Sequence, residues 1–314
     1  MPRNPDQRSV HINAPLTNVS VAWMQDEPNA ADLIFAPVPV QKQGDLYWKY
    51  DRGEWWSGLA EKRAAGTESA GGGWNVSTDS YYCDVYAFHQ DIDDQTLANA
   101  DSAFNIEADS ARFVTGQISK TRENLFLDNF MKTGVWTVNE TPNWATLSSA
   151  DPIYDVRDMA NDMRAATGFR PNTLLLSPTL MEHLMRVDDI QERIKYTQTG
   201  IITRDLLAAA FDVDRVVVID SVRQPSTGGD TLQFSLGSQA IGLLAYSNPR
   251  PSLRQPSCGY TFNWTGLLGA GATGSRVKRW RMEEIESIRI ESSMAFDQKL
   301  VAPELGTFIT ATIS

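Results

Sequence analysis

Hydrophobic positions between residues 171 and 220 alternate between short continuous runs and helical spacing. Thr173–Leu176 is an apolar run bounded by breakers, which is typical of a strand buried on both faces. Ser177 is a good helix cap and a proline follows it, so a helix is predicted to begin there. A second amphipathic stretch covers 203–211, and the β-branched run 215–220 predicts another strand. The order strand, helix, helix, strand predicts a compact α/β layer.

The longest helical pattern runs from residue 105 to residue 133. Asn105 suits the N-cap, and Glu107 and Asp109 place negative charge in the first turn, where the helix dipole favours it. No proline interrupts the pattern, and Gly134 provides a stop. A helix of ~26 residues would be ~39 Å long, which is unusual in an ordinary globular domain.

A long β-hairpin is predicted over residues 45–88. An aromatic strand covers 46–50, a run of glycines interrupts at 71–73, and a return strand covers 74–76 and 81–86. A hairpin of this kind cannot bury both faces alone, and aromatic side chains often anchor interfaces between proteins. A subunit contact is therefore predicted, the alternative being a small core under a loop. The candidate contact residues are Tyr47, Trp48, Arg52, Glu54, Trp55, Trp56 and Trp74.

The remaining segments predict an extended arm and further strands. Residues 1–44 contain six prolines yet are too apolar for free disorder, so they predict an arm packed either on its own domain or on a neighbouring subunit. Alternation predicts strands at 232–236 and 240–246, and a strand from 285 ending near residue 292. Closing strands are expected at 299–301 and 308–313.

Three segments resemble the major capsid proteins of tailed bacteriophages with the HK97-type fold. They read NTLLLSPTLMEHL, DIQERIKYTQTGIITRDLLAAAFDVDRVVVID and FDQKLVAPELGTFITATIS. The resemblance implies an α+β protein with the HK97-like capsid fold. The long helix would be the spine of a peripheral domain, the α/β layer an axial domain, and the hairpin an extended loop lying on the adjacent subunit.

The resemblance also implies a division of the chain. Residues 1–44 would form the arm, 45–88 the extended hairpin loop, and 89–151 the peripheral domain with its spine helix. Residues 152–274 would form a mixed α/β axial domain, and 275–314 the return strands of the peripheral domain.

The function implied by the resemblance is that of a structural subunit of an icosahedral phage head. The chain would self-assemble into homo-pentamers and homo-hexamers that enclose a double-stranded DNA genome without sequence-specific binding. Because the hairpin begins near residue 45, a separate scaffolding protein, or none, is expected. Portal and decoration proteins are further expected partners. The protein would lie in the virion capsid after assembly in the host bacterial cytoplasm, with no cofactor, catalytic activity or membrane contact.

Composition agrees with a shell subunit. Thirty-nine acidic against 28 basic residues give a net charge of −11, which argues against a protein that mainly grips nucleic-acid phosphates. The two cysteines, Cys83 and Cys258, are too few for a disulfide framework or a structural zinc site and are predicted to be buried free thiols.

Candidate chemistry is sparse. The G-x-G-x-x-G spacing at 269–274 precedes residues that alternate like a strand, so a mobile loop is favoured over a dinucleotide site. Adjacent acids at 93–94, 188–189 and 283–284 point to different faces and read as surface acids. His183 lies among leucines and predicts a packed histidine.

Basic residues cluster around an aromatic side chain near residue 280. The basic residues Lys278, Arg279 and Arg281 beside Trp280 could contact phosphates or bases, but the glutamates at 283–286 favour a surface ion-pair network. For the protein as a whole, the alternatives are an encapsulin-type nanocompartment shell and, from another class, an acidic, tryptophan-rich carbohydrate-active enzyme. The enzyme would need two carboxylates facing a cleft ~5–10 Å apart.

Overall fold

The computed structural model describes residues 11–12, 29–50, 60–63, 65–71, 76–99, 105–195, 203–223, 233–234, 236–248, 250, 256–267 and 273–313. The helices are α1 (Ala30–Ile34), α2 (Asp94–Asn99), α3 (Ile106–Phe130), α4 (Pro152–Thr167), α5 (Pro178–Leu184), α6 (Asp188–Lys195) and α7 (Arg204–Phe211). Short 3-10 turns occur at Glu283–Ile285 and Pro303–Leu305.

The strands form two larger sheets and two small ribbons. They are β1 (His11–Ile12), β2 (Ala36–Val40), β3 (Gly44–Tyr50), β4 (Val76–Tyr82), β5 (Asp84–Asp93), β6 (Val138–Glu140), β7 (Thr173–Leu176), β8 (Arg215–Val218), β9 (Val222–Arg223), β10 (Gln233–Phe234), β11 (Ile241–Ala245), β12 (Gly259–Trp264), β13 (Ser275–Met282), β14 (Ser287–Leu300) and β15 (Gly306–Thr310). The six-stranded sheet has the order β1-β13-β14-β12-β2, with β5 also paired to β14. The five-stranded sheet has the order β6-β15-β11-β7-β8, and β3-β4 and β9-β10 are two-stranded.

The predicted long helix is confirmed as α3, which has 25 residues. Its N-cap is Asn105, whose side-chain oxygen accepts a hydrogen bond from the backbone N–H of Ala108 at 3.1 Å. Ala111 and Val114 of this helix pack in one apolar cluster with Ile290 of β14. The helix therefore lies along the six-stranded sheet and supports it from one face.

The α/β layer is also confirmed, with one additional helix. Strands β7 and β8 pair in parallel, and all four residues of β7 are buried. Ser177 caps α5 as predicted, since its hydroxyl accepts from Leu180 N–H at 3.2 Å. Thr203 caps α7 in the same way. The polar segment after residue 187 forms α6, because Ile190 on its inner side is fully buried in the core.

Three strand predictions differ from the observed pairing. The return strand of the hairpin ends at Tyr82, and 84–93 is a separate strand, β5, that pairs with β14. β14 runs unbroken for 14 residues, where two shorter strands were expected. The prediction that the last strand returns to the peripheral sheet is wrong, because β15 pairs with β11 and β6 in the five-stranded sheet. Apolar alternation shows that a strand is tied into a sheet, but not which sheet.

The described part of the N-terminal arm packs on its own subunit, the simpler of the two expectations. Residues 30–34 form the short helix α1, and β2 pairs in parallel with β12. Ile34 and Phe35 are fully buried in a cluster that includes Phe126 of α3 and Leu243 of β11. The arm thus fills the space between the spine helix and the five-stranded sheet.

Candidate assembly surface

The root of the hairpin has two faces of opposite character. β3 and β4 pair antiparallel with Tyr47 opposite Asp79 and Trp48 opposite Thr78. Because neighbouring residues of a strand point to opposite faces, Tyr47 and Tyr81 lie on one face, while Trp48 and Tyr82 lie on the other. We call these the inner and outer faces of the hairpin.

The inner face is packed on the six-stranded sheet. The Tyr81 ring stacks on Phe262 of β12 with centroids 4.5 Å apart, and the Tyr47 ring lies 5.3 Å from the same phenylalanine. The Tyr47 hydroxyl donates to Asp79 Oδ2 at 3.1 Å across the hairpin. Burial is the main cause that raises the pKa of Tyr47, and Asp79 adds to it. The phenol therefore stays protonated and keeps donating.

Further hydrogen bonds join the end of β4 to the rest of the subunit. The N–H of Tyr82 donates to Asp297 Oδ2 of β14 at 2.9 Å, and the N–H of Cys83 donates to Gln43 O at 2.8 Å. The Cys83 thiol donates to Phe262 O at 3.4 Å. Burial raises the pKa of the Asp297 carboxyl despite the nearby Lys299 ammonium.

The outer face exposes large apolar side chains next to one another. Leu46, Trp48 and Tyr82 are 61%, 59% and 59% exposed. The Tyr82 ring lies over Gly44, where a Cβ atom would be 3.1 Å from it. Contiguous exposed apolar side chains of this size mark surfaces that bind another molecule.

The sequence-predicted contact residues separate into three groups. Trp48 is on the outer face as expected of a contact residue, whereas Tyr47 is partly buried against its own subunit. Arg52, Glu54, Trp55, Trp56 and Trp74 lie outside the described residues. Sequence reasoning did not single out Leu46 and Tyr82. The alternation of strand 46–50 carried a signal for Leu46, because Leu46 and Trp48 share a face that Tyr47 does not.

The basic cluster near the end of β13 forms ion pairs, as predicted, but mostly with acids on other elements. Lys278 pairs with Glu291 of β14 at 3.7 Å, and Arg279 pairs with Glu107 of the spine helix at 2.8 Å. Arg281 pairs with Asp94 and, at 3.8 Å, with Glu283. These cations tie the sheet to the helices beside it.

The other candidate chemistry has structural uses. His183 is buried, and its Nε2 lies 2.7 Å from Trp144 O. Cys83 and Cys258 are buried free thiols, and burial raises the pKa of each to about 12. The glycine-rich spacing ends at Gly274 and leads into strand β13 rather than a helix. In the described ranges, no group of three or more His, Cys, Asp or Glu residues is arranged to hold a metal ion.

The adjacent acids also have individual roles. Asp93 accepts a hydrogen bond from Thr96 N–H at 3.3 Å at the start of α2, and Asp94 pairs with Arg281. Asp189 pairs with Arg193 one helical turn away at 3.1 Å. Among helices built from described residues, none combines the length and apolar character needed to cross a bilayer.

Sequence comparison finds similarity to phage capsid proteins. Residues 107–222, which run from the spine helix through β8 to β9, match the model of the family "Phage major capsid protein E". The major capsid protein of Burkholderia phage BcepMu is 22% identical over 289 residues, which cover 89% of this chain and 91% of the relative. The chain is therefore similar to phage major capsid proteins over most of its length.

Solved structures share the HK97-type fold of this chain over nearly its whole length. A phage-related protein from Bordetella bronchiseptica RB50 superposes with a TM-score of 0.73 at 20% identity, covering 96% of this chain and 97% of the other. A chain of the mature capsid of bacteriophage PhiM1 gives 0.59 at 13% identity, with 91% and 88% covered. The SrpI encapsulin of Synechococcus elongatus PCC 7942 gives 0.54 at 11% identity, with 92% and 94% covered.

Proposed function

We propose that this chain is a phage major capsid protein that assembles into homo-pentamers and homo-hexamers of an icosahedral head enclosing double-stranded DNA. Assembly takes place in the host bacterial cytoplasm and involves no catalytic step. A separate scaffolding protein, a portal and decoration proteins are its further partners in this proposal. The net charge of −11 suits a wall that surrounds DNA without gripping its phosphates.

One observation carries the proposal: the hairpin packs one face on its own subunit and exposes the other. Leu46, Trp48 and Tyr82 occupy that outer face. Covering a large apolar side chain stabilises an assembly by about 1.5–3 kcal/mol relative to leaving it in water. Repeated at every subunit of a closed symmetric shell, such a contact stabilises the particle while each individual contact stays weak enough to reverse.

The division of the chain remains part of this proposal. Residues 1–44 form the arm, 45–88 the hairpin loop, 89–151 and 275–300 the peripheral domain, and 152–274 with the closing strand β15 the axial domain. By its pairing, the closing strand β15 belongs with the axial sheet. In this arrangement the hairpin projects from the peripheral side of the subunit towards its neighbour.

The experiment is electron microscopy of the purified protein, together with its solution mass, for wild type and for the double variant Trp48→Ala, Tyr82→Ala. Wild type is expected to form closed shells, or rings of five or six subunits. The double variant is expected to remain folded and unassembled. Tyr154→Ala is the matched control, because Tyr154 is 63% exposed on α4, away from the hairpin strands, and its loss should leave shells intact.

Wild-type shells formed by the double variant would contradict the role of the outer face. A wild-type protein that stays a single subunit, even with candidate scaffolding proteins present, would contradict assembly itself. Circular dichroism of each variant separates loss of assembly from loss of fold.

A second candidate is a nanocompartment that packages protein cargo, which the fold similarity to the SrpI encapsulin supports. The contents of purified particles decide between the two. Double-stranded DNA protected from nuclease supports the phage head, whereas a co-purifying enzyme without DNA supports the nanocompartment. The family match and the BcepMu relative favour the phage head.

A further inference from the structure

We propose that Tyr47, Tyr81, Phe262 and Asp297, which we call the hairpin root, fix the direction in which the hairpin leaves the subunit and thereby select the diameter of the shell. This inference rests on the proposed function. It assigns Tyr47 a positioning role in place of the contact role that the sequence suggested.

The hairpin is held in place by its contacts with the rest of the subunit. Within the described chain, β3 and β4 pair only with each other and with neither larger sheet. A two-stranded ribbon has little stability of its own. Its direction therefore depends on side-chain and backbone contacts where it meets the rest of the subunit.

The hairpin rests on a platform formed by one residue pair of the six-stranded sheet. Phe262 of β12 and Asp297 of β14 are paired directly opposite each other. β12 lies between β2 and β14, so the platform is an interior position of the six-stranded sheet. Its two side chains contact the hairpin in different ways. Phe262 makes ring contacts, and Asp297 accepts a hydrogen bond from the Tyr82 N–H.

The ring contacts at the root fix the orientation of the hairpin. The Tyr81 and Phe262 rings are stacked at 16°, whereas the Tyr47 and Phe262 rings are tilted by 37°. Tyr47 and Tyr81 lie two residue pairs apart along the ribbon, and both rings rest on Phe262. Two such contacts define the angle between the ribbon and the sheet, which a single contact could not do. The hydrogen bond from the Tyr47 hydroxyl to Asp79 on the opposite strand holds the Tyr47 ring in place.

A small tilt at the hairpin root produces a larger displacement at the far end of the hairpin. A seven-residue strand is about 23 Å long, so a tilt of about 10° at the root would move its far end by about 4 Å. Subunits close into a shell only if each contact repeats the same geometry, so such a shift changes the curvature that neighbouring subunits adopt. Changes at the root should therefore alter particle size, whereas changes on the outer face should alter particle yield.

The test compares Tyr47→Ala with Tyr47→Phe and with Trp48→Ala. The readouts are the diameters of assembled particles in electron micrographs and the melting temperature of the subunit. Tyr47→Ala is expected to give particles of shifted or broadened diameter, or open sheets. Tyr47→Phe keeps the ring on Phe262 but loses the bond to Asp79, so its particles are expected to be much closer to wild-type diameter than those of Tyr47→Ala. Trp48→Ala is expected to lower yield and leave the diameter of the remaining particles unchanged.

Tyr47→Ala particles of wild-type diameter would overturn this inference while leaving the proposed function intact. Wild-type yield from Trp48→Ala would instead contradict the contact role of the outer face. If Tyr47→Ala does not fold, Tyr47→Leu takes its place, because leucine fills much of the space without providing a ring that can orient on Phe262. Unchanged diameters in that variant overturn the inference equally.

Discussion

The arm segment 29–35 and the outer face of the hairpin are both apolar projections, yet they are satisfied in opposite ways. In the arm, Phe35 is fully buried, with its ring 5.1 Å from Phe126 and 4.8 Å from Phe130 of the spine helix. On the hairpin, Trp48 is 59% exposed. The first segment completes the subunit, and the second leaves a surface that only another molecule can cover.

Polar groups show the same difference. The backbone N–H of Ala31 donates to the buried Glu123 carboxylate at 3.1 Å, and Arg122 pairs with Asp32. Leu33 O accepts from the Ser247 hydroxyl at 2.9 Å, so the arm is also bonded to the segment after β11. Buried polar groups require such partners. The arm is therefore part of the fold, and changes in it should appear as subunit instability rather than as failed assembly.

Substitutions in and around these two regions should differ widely in their effect on the free energy of unfolding of the isolated subunit. Phe35→Ala should have the largest effect, about 3–5 kcal/mol of destabilisation, because it opens a cavity between the spine helix and the five-stranded sheet. Chemical denaturation monitored by circular dichroism measures it. Near wild-type stability would show that the arm is not an integral part of the core.

Gly306→Ala should destabilise the subunit by about 1–3 kcal/mol. A Cβ atom at this position would lie 2.1 Å from Cε3 of Trp136, a buried side chain whose indole N–H donates to Phe130 O at 2.7 Å. The clash would displace the tryptophan that joins the end of the spine helix to the five-stranded sheet. Gly66→Ala is not a useful control because its φ is positive, so Gly71→Ala, with open space around it, serves instead. Equal melting temperatures for both variants would refute this prediction.

Glu123→Gln should have a small effect whose sign depends on pH. Burial raises the pKa of the Glu123 carboxyl above its ordinary value of 4.5. The folded subunit therefore binds this proton more tightly than the unfolded chain does. The stability that Glu123 contributes is fully present below pH 4.5 and is lost as the pH rises through the folded-state pKa.

At pH 7 the Gln variant should be at least as stable as wild type, within about 1 kcal/mol, because its amide oxygen still accepts from Ala31. The difference should move in favour of wild type as the pH falls towards 4.5. Urea denaturation of both proteins across this range provides the measurement. A difference that moves towards the Gln variant on acidification would contradict the assigned direction.

Trp55→Ala combined with Trp56→Ala should have the smallest effect on subunit stability, within about 0.5 kcal/mol, because the contact role predicted from the sequence concerns a neighbouring subunit and not the subunit's own core. Both residues lie outside the described part of the hairpin, and their contact role remains a prediction from the sequence. The double variant should fold and fail to form shells. Shells at wild-type yield would refute that role.

The sequence predicted local elements better than their partners. The caps at Asn105 and Ser177 and the extent of α3 followed from short-range rules and are confirmed. The pairing of β15 with β11 could not be predicted, because strands that meet across more than 60 residues share no local signal. The inward position of Tyr47 was missed for a similar reason, since its partner Phe262 lies in a strand distant in sequence.

The central claim is that the outer face of the hairpin becomes buried between subunits. Ser80→Cys places a thiol on this face, opposite Leu46, at an exposed position. Cys83 and Cys258 give little background reaction, because both are buried with a pKa of about 12. Labelling with a maleimide before and after assembly is the most direct test. The account predicts rapid labelling of the free subunit and strong protection in the shell, and equal labelling in both states would contradict it.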